Sequence, residues 1–494
     1  MGVVIAIDAG TTGVRAFAVD ESGHPTGYTY REFTQHFPQP GWVEHDAAEI
    51  WQAVQATLAD LVAQLDQPVA AIGITDQRET TVVWNRRTGE PLHRAIVWQD
   101  RRTADRCADL EAAGHLPLVR ETTGLVLDPY FSATKLEWLL GPGGVERSAD
   151  LAFGTIDSWL LWNLTGGKVH ATEASNASRT LLFDIGSMAW SDELCALFDI
   201  PQAALPEVRP TSGRFGVTTA DTPVGAVIPV SGIAGDQQAA LFGQACFTPG
   251  MTKNTYGTGS FVLMNIGGEC PPPVDGLLTT VAWGLDDGAG GLTPTYALEG
   301  AIFVTGAAVQ WLRDGLEIIA EAAETGPLAA TVDDTGGVFL VPAFTGLGSP
   351  WWDPYARGAI LGITRGTTRA HLARAVVESM AYQTRDVVDA MSEISGRDVA
   401  ELRVDGGASA MDLLLQLQAD QLRVPVARPS VQETTALGAA YLAGMAEGVW
   451  GSLDELTAHW TLEHRAVPEM DEAVADAAHR MWLRAVERSR DWAH

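Results

Sequence analysis

The sequence predicts an α/β fold made of two duplicated domains with a cleft between them, and three observations lead there. Near the start, Val3 to Ile7 and Val14 to Val19 are strand-length apolar runs joined by the turn Asp8-Ala-Gly-Thr-Thr-Gly13. About half the chain later, Met251 to Tyr256 and Phe261 to Ile266 repeat that plan around Gly257-Thr-Gly-Ser260, with little identity letter by letter. Elsewhere, apolar runs of strand length alternate with stretches of helical period, as in sheets covered on both faces. A chain of 494 residues with 46% hydrophobic content normally divides into domains with separate cores. The boundary falls between Gln244 and Gly250, giving residues 1–247 and 248–494.

The 62 acidic and 32 basic side chains give a formal charge of −30, which repels nucleic acid and anionic membrane surfaces at long range. Lys135, Lys168 and Lys253 are the only lysines, so an anionic ligand has to rely on arginine, backbone N–H groups and metal. Cys107, Cys195, Cys246 and Cys270 are far apart with no C-x-x-C pair, which reads as buried free thiols in a reducing compartment. No charged leader precedes an apolar core segment and no apolar run has membrane length. A cytoplasmic protein without stable membrane association is expected. Met1-Gly2 resembles an acylation start, but Ala6 stands where that motif needs Ser or Thr.

In the opening hairpin, glycines let backbone N–H groups converge on an anion, two threonines add hydroxyls, and Arg15 offsets charge. Asp8 ends the buried strand, a poor core residue but a good ligand for hydrated magnesium. An ordinary hairpin with a polar turn accounts for the same letters. No G-x-x-x-x-G-K-[ST] occurs, so a nucleotide site would be of the strand-turn-strand type. Asp46-Ala-Ala-Glu49 caps an amphipathic helix carried by Ile50, Val54, Leu58, Leu61, Val62 and Leu65, which Pro68 stops.

Val69 to Thr75 is a buried strand running into the polar cluster Asp76-Gln-Arg-Glu-Thr80, and Arg94 to Trp98 a second running into Gln99-Asp-Arg-Arg102. Both clusters read as loops at one crevice, or as solvated turns. Arg78 beside Glu79 sets a fork of donors next to a fork of acceptors, which suits a small polyhydroxylated substrate. Tyr130 to Trp138 opens a helix, and Ala152 to Trp162 is strand then helix with Asp157 at the join. Trp138, Trp159 and Trp162 read as core. A strand from Ala226 to Val230 leads into Ser231-Gly-Ile-Ala-Gly-Asp236-Gln-Gln, so Asp236 stands at a helix start, as an N-cap or facing a ligand.

In the second half, Gly300 to Gly315 reads as a helix whose Gly306, Ala307 and Ala308 allow close approach of a flat ring or of another helix. Phe339 to Gly348 and Arg357 to Gly362 supply a loop and a strand, and His371 to Met391 a long amphipathic helix. Leu402 to Asp405, then Gly406-Gly407, then a helix from Ala410 make a turn suited to a nucleoside phosphate tail. From Glu463 onward the chain reads as helical.

The two Gly/Thr hairpins, the aspartate on the first strand and Gly-Gly before a late helix resemble the actin, hexokinase and sugar-kinase ATPase fold, with two duplicated ribonuclease-H-like domains. Within that fold, Tyr130-x-Ser132-x-x-Lys135-Leu-x-Trp138 and Gly358-x-Ile360-x-Gly362-Ile363, followed by His371-Leu372 and Glu378, resemble signatures of the FGGY carbohydrate-kinase family. Long ordered strings extend the likeness to glycerol-phosphorylating members over nearly the whole chain. They include GITDQRETT at Gly73, VWQDRR at Val97, NASRT at Asn176, SGIAGDQQAALFGQ at Ser231, KNTYGTGSF at Lys253 and VDGG at Val404.

The resemblance implies that Arg78, Glu79, Tyr130, Asp236 and Gln237 hold glycerol, with Trp98 and Phe261 against its carbon face. It implies that Thr11, Thr12, Gly13, Arg15, Thr258, Gly306, Gln310 and Gly407 contact ATP, that Asp8 and Asp236 hold Mg2+, and that Asp236 is the catalytic base. A pentulose or other polyol kinase of the same family, and an actin-like or chaperone ATPase, are the alternatives; a homodimer or homotetramer is compatible with all of them. One departure is Met411, where family members often place Asn, which removes a side-chain hydrogen bond near adenine. Some members bind fructose 1,6-bisphosphate, or are phosphorylated on histidine, just before the segment that starts at Ser231. Here Phe215 to Thr252 holds no Arg, Lys or His, so neither form of regulation is expected.

Overall fold

The computed structural model describes residues 2–225, 227–289 and 291–493. Met1 of the acylation-like start, Ala226 at the head of an expected strand, and His494 at the end of the second expected domain lie outside the described residues. The opening strand β1 (Val3–Ala9) is apolar from Val3 to Ile7, before Asp8, because both of its faces are covered there. Val3, Ile5 and Ile7 enter one core with Ile50, Val54, Leu58 and Leu61 of the helix Ala47–Val62. Val4 and Ala6 enter another with Ala436, Ala439 and Ala440 of the helix Thr434–Ala446, contributed by the far end of the chain.

The other strands of the main sheet are β2 (Gly13–Val19), β3 (Pro25–Glu32), β4 (Val69–Asp76), β5 (Ser212–Val217), β6 (Pro229–Gly235), β7 (Thr252–Tyr256), β8 (Ser260–Gly267), β9 (Leu278–Asp286), β10 (Leu292–Ile302), β11 (Leu402–Asp405), β12 (Val426–Pro429) and β13 (Leu462–Ala466). They form one sheet in the order β13-β12-β11-β7-β8-β10-β9-β5-β6-β4-β1-β2-β3. The duplication is visible in the pairing. β1 and β7 each open an antiparallel hairpin, with β2 and β8, and pair on their other side in parallel with β4 and β11. Those strands pair in turn with β6 and β12. The halves share the sheet through one residue pair, Ser212 with Leu285.

Each half continues from its last parallel strand into a helix, Asp236–Gly243 after β6 and Thr434–Ala446 after β12, and these two helices lie against each other. A Cβ on Gly438 would meet the Ala239 carbonyl oxygen at 1.9 Å, and one on Gly243 the Thr434 carbonyl oxygen at 2.0 Å. Glycine is required at both positions because backbone touches backbone there.

Several boundaries differ from the sequence reading. Gly300 to Ile302 are the end of β10, held extended by pairing with Ser260 to Val262, and the helix begins only at Gly306. Glu463 to Ala466 belong to β13, which pairs antiparallel with β12 at the edge of the sheet; helix resumes at Glu472. Of Arg94 to Trp98 only Ala95–Ile96 is strand, paired with Glu44–His45 in a small separate sheet. Cys107, Cys195 and Cys246 are buried free thiols as expected, whereas Cys270 is exposed, on the loop that follows β8.

Candidate active site

The polar cluster after β4 is not a solvated turn: Asp76, Gln77, Arg78, Glu79 and Thr80 are all buried. Glu79 sits at φ 61°, in the left-handed region that side-chain-bearing residues avoid, and the surroundings hold it there. Ser132 Oγ donates to the Glu79 carbonyl at 3.0 Å. The Lys135 ammonium, itself buried, donates to the carbonyls of Tyr130 and Phe131. The Tyr-x-Ser-x-x-Lys signature thus braces Tyr130 and Glu79 from the helix Ser132–Leu140.

Arg78 is the centre of the site. Its Nη1 and Nη2 donate to Glu299 at 2.5 and 3.0 Å, Nη2 also to Tyr130 Oη at 3.0 Å, and Nη1 to Gln238 at 3.2 Å. Its Nε lies 3.3 Å from Asp236 Oδ1. Arg179 closes a ring by donating from Nε to Glu79 at 2.7 Å and from Nη2 to Glu299 at 2.9 Å. Asp236 opens the helix Asp236–Gly243 and accepts from the Gln237 backbone N–H, while its side chain stays about 30% exposed. Gln237 Oε1 accepts from Lys253 Nζ at 2.6 Å. Trp98 stands edge-on to both Tyr130 and Phe261, 5.6 Å and 6.4 Å away between ring centres. All seven residues expected to hold the substrate therefore converge, and the second half supplies Phe261, Glu299 and Lys253 to a site whose other residues come from the first.

The first Gly/Thr turn is tied to this pocket. Gln77 Nε2 donates to the Gly10 carbonyl at 3.0 Å, Gln35 Nε2 to the Thr11 carbonyl at 2.9 Å, and Trp98 Nε1 to Thr11 Oγ1 at 3.0 Å. Thr12 is exposed beside Tyr30, and Gly13 leaves no room for a Cβ, which would meet Tyr30 Oη and the Arg31 carbonyl at 2.6 Å. Arg15 pairs with Glu433, at the start of the helix Thr434–Ala446, so its guanidinium is engaged across the two halves. In the second turn, the Thr258 carbonyl accepts from the N–H groups of Thr305 and Ala307, both at 3.0 Å. Gly306 is small because that turn packs on it: a Cβ would meet the Gly257 carbonyl at 2.5 Å. Gln310, within the helix Gly306–Asp314, and Gly407, two residues after β11, are both exposed. Gly406, at φ 83°, fits under the Tyr256 backbone. Met411 starts the helix Asp412–Leu422 and packs beside Gly326.

Charge is concentrated here at the expense of solvation. Burial raises the Asp8 carboxyl to about 6, against the pull of Arg15 and with help from the nearby charge of Asp236. Burial also raises Asp236, opposed by Arg78 and Lys253, and pushes the Lys253 ammonium down to about 8. Glu299 goes the other way: despite its burial, Arg179 and Arg78 hold it down at about 2. No group of three or more His, Cys, Asp or Glu side chains forms a metal cage among the described residues. Asp8 and Asp236, near enough that the charge of Asp236 raises Asp8, suit instead an ion such as Mg2+ that keeps several waters and takes further oxygens from phosphate.

The second cluster serves the scaffold. The side chain of Arg102 is fully buried, pairs with Asp100 and Glu44 at 2.8 and 2.9 Å, and lies against the edge-on ring pair of Trp42 and Trp138. Conversely, Arg179, Glu299 and Lys253 were not singled out by sequence reasoning. Glu299 carried a signal, being the only charged residue between Asp287 and Arg313, in an otherwise uncharged strand.

A two-domain α/β fold with a glycine-rich turn at the head of each half and a carboxylate beside a charged, aromatic-walled pocket between them defines a kinase of the actin/hexokinase type. Residues 3–243 match the N-terminal domain of the FGGY family of carbohydrate kinases and residues 252–447 its C-terminal domain; the chain belongs to that family. It is 57% identical to a glycerol kinase of Dechloromonas aromatica, over 99% of this chain and 98% of that one. It is 55% identical to a glycerol kinase of Deinococcus radiodurans, again over 99% and 98%. A crystal structure of the Plasmodium falciparum glycerol kinase with ADP superposes with a TM-score of 0.92 at 34% identity, covering 99% of this chain and 98% of that one.

Proposed function

We propose that this protein transfers the γ-phosphoryl group of ATP to a terminal hydroxyl of glycerol, giving sn-glycerol 3-phosphate and ADP. The observation that carries the reading is the convergence of Arg78, Glu79, Tyr130, Asp236 and Gln237 on one pocket with Asp236 at its open edge. At a ceiling of about 1.5 kcal/mol per heavy atom, glycerol binding cannot exceed roughly 9 kcal/mol, so nearly every hydroxyl must be paired. Forked donors beside forked acceptors meet that demand, and Trp98 and Phe261 cover the carbon face.

Asp236 takes the hydroxyl proton as the new O–P bond forms and the bond from the γ-phosphorus to the β,γ-bridging oxygen breaks, with ADP leaving. Thr11, Thr12, Gly13 and Arg15 on one side, and Thr258, Gly306, Gln310 and Gly407 on the other, contact the nucleotide; Arg15 has to exchange Glu433 for phosphate to do so. Bound Mg2+ at Asp8 and Asp236 would offset phosphate charge. The same reading divides the domains near residue 247 and sets the protein to work in the cytoplasm.

A coupled ADP-release assay with glycerol, dihydroxyacetone, xylulose and ribulose tests the reading. Glycerol should give the highest kcat/KM. Preference for a pentulose, or turnover independent of all four, would overturn it.

A further inference from the structure

In the first Gly/Thr turn, the backbone oxygens of Gly10 and Thr11 face two glutamines: Gln77 Nε2 donates to the first at 3.0 Å and Gln35 Nε2 to the second at 2.9 Å. In a trans peptide unit the N–H points opposite to the C=O, so the N–H groups of Thr11 and Thr12 are aimed away from the glutamines. Among the described residues no acceptor takes either of them. Adjacent backbone donors held in one direction are what an anionic oxygen needs.

Between the two glutamines stands His45, fully buried, on the short strand Glu44–His45 that is paired on both sides and packed edge-on against Phe33. Its Nδ1 lies 3.3 Å from Gln77 Nε2 and its Nε2 2.7 Å from Gln35 Oε1. The protons along this chain have one consistent arrangement. A carbonyl only accepts, so each glutamine must turn its amide nitrogen to the turn. Gln77 gives its second amide hydrogen to His45 Nδ1, and its oxygen accepts from Thr80 Oγ1 at 2.9 Å. Gln35 is left to present its oxygen to His45, which donates from Nε2. A neutral imidazole protonated on Nε2 meets both demands at once. Burial, aided by the nearby charge of His36, pushes the His45 imidazole down to about 3, which keeps it neutral near pH 7.

We infer that His45 is a positioning residue: by joining Gln77 to Gln35 it fixes the peptide units Gly10–Thr11 and Thr11–Thr12 with their N–H groups turned outward, as a seat for a nucleotide phosphate. Glycine at position 10 makes such a clamp necessary, since the peptide unit that follows a glycine turns over easily when nothing holds it. The substrate loop keeps anchors of its own, from the Gln77 N–H to the Ala9 carbonyl at 2.9 Å and from Ser132 to the Glu79 carbonyl, so the clamp acts on the nucleotide side. The inference rests on the contact between this turn and ATP given in the proposed function.

The test measures KM for ATP and for glycerol in the ADP-release assay. His45→Phe keeps a flat ring in the buried site but breaks both links; the KM for ATP should rise about 10-fold while that for glycerol stays within about twofold. His45→Gln retains a donor for Gln35 and should bring the KM for ATP back to within about threefold of the unchanged protein. Gln35 is only partly buried, so Gln35→Met cuts the same chain without threatening the core and should match the effect of His45→Phe. Because the chain acts as a unit, combining His45→Phe with Gln35→Met should be no more than about twofold worse than either alone. An unmoved KM for ATP in Gln35→Met or in folded His45→Phe, KM values for both substrates that rise together, or losses that multiply in the double variant would overturn the inference alone. If the unchanged protein releases no ADP with glycerol, the functional reading itself fails and the inference falls with it.

Discussion

Asp8 illustrates how single residues here are set for chemistry and against stability. Its carboxyl titrates at about 6 in the folded protein against 3.8 as the ordinary value, because burial outweighs the pull of Arg15. The folded state therefore binds more protons than the unfolded chain between those values, and the contribution of Asp8 to stability, present below pH 4, is lost as pH rises through 6. At pH 7 the ionised group costs on the order of 2–3 kcal/mol. Asp8→Asn should accordingly raise the thermal midpoint at pH 7, by an amount that shrinks toward pH 4, while turnover collapses; equal midpoints at pH 7 would contradict this account. Asp236→Asn keeps the shape of the helix start but removes the proton acceptor. We expect turnover to drop at least ~10²-fold with circular dichroism unchanged, and near-normal turnover would assign the base elsewhere. Arg78 is a poorer target for truncation than its place in the pocket suggests, since removing it would strand Glu299 without its forked partner and cost about 3–5 kcal/mol of stability.

At the scale of elements, the contact between the helices Asp236–Gly243 and Thr434–Ala446 leaves no space for a methyl group. Gly438→Ala would press a Cβ to 1.9 Å from a backbone carbonyl, where no side chain can yield. A loss of about 3 kcal/mol or more is expected, read as a lowered unfolding midpoint, and an unchanged midpoint would show that the helices do not pack this tightly. The helix Thr434–Ala446 was also the least legible element. TTALGAAYLAGMA is buried from Thr434 to Gly444 with only Thr435 partly exposed, so no polar stripe marks a 3.6-residue period. By contrast, Leu402–Asp405 and the long helix Arg369–Ser395 stood out because Gly-Gly punctuation and an amphipathic stripe declared them. In the site, Arg78, Glu79 and Asp236 were readable as polar groups at strand ends. Glu299 was not, because its contact with Arg78 spans 221 positions of sequence. The reversal at Glu463, strand where helix was read, has a similar cause: an edge strand exposed at Leu462 and Glu463 lacks the alternation that identifies a strand.

For the molecule as a whole, the acidic surface and the cation-free segment before β6 bear on regulation. From Phe215 to Thr252 there is no Arg, Lys or His, and Val227 is 67% exposed where a bisphosphate would need charged donors. Millimolar fructose 1,6-bisphosphate should leave the rate at subsaturating glycerol unchanged. Inhibition that disappears when residues 216–227 are altered would sink that expectation. The interleaving of the halves also has a temporal side. Val4, Ala6, Phe17 and Ala71 of the first half are covered by Ala436, Ala439 and Ala440 of the last third of the chain. A ribosome adding about 5–20 residues per second needs on the order of 10–40 s to travel from Gly243 to Ala446. Throughout that interval the nascent first half holds a finished sheet with one greasy face uncovered, so this protein's yield during synthesis depends on what shelters that face until its own C-terminal helix arrives.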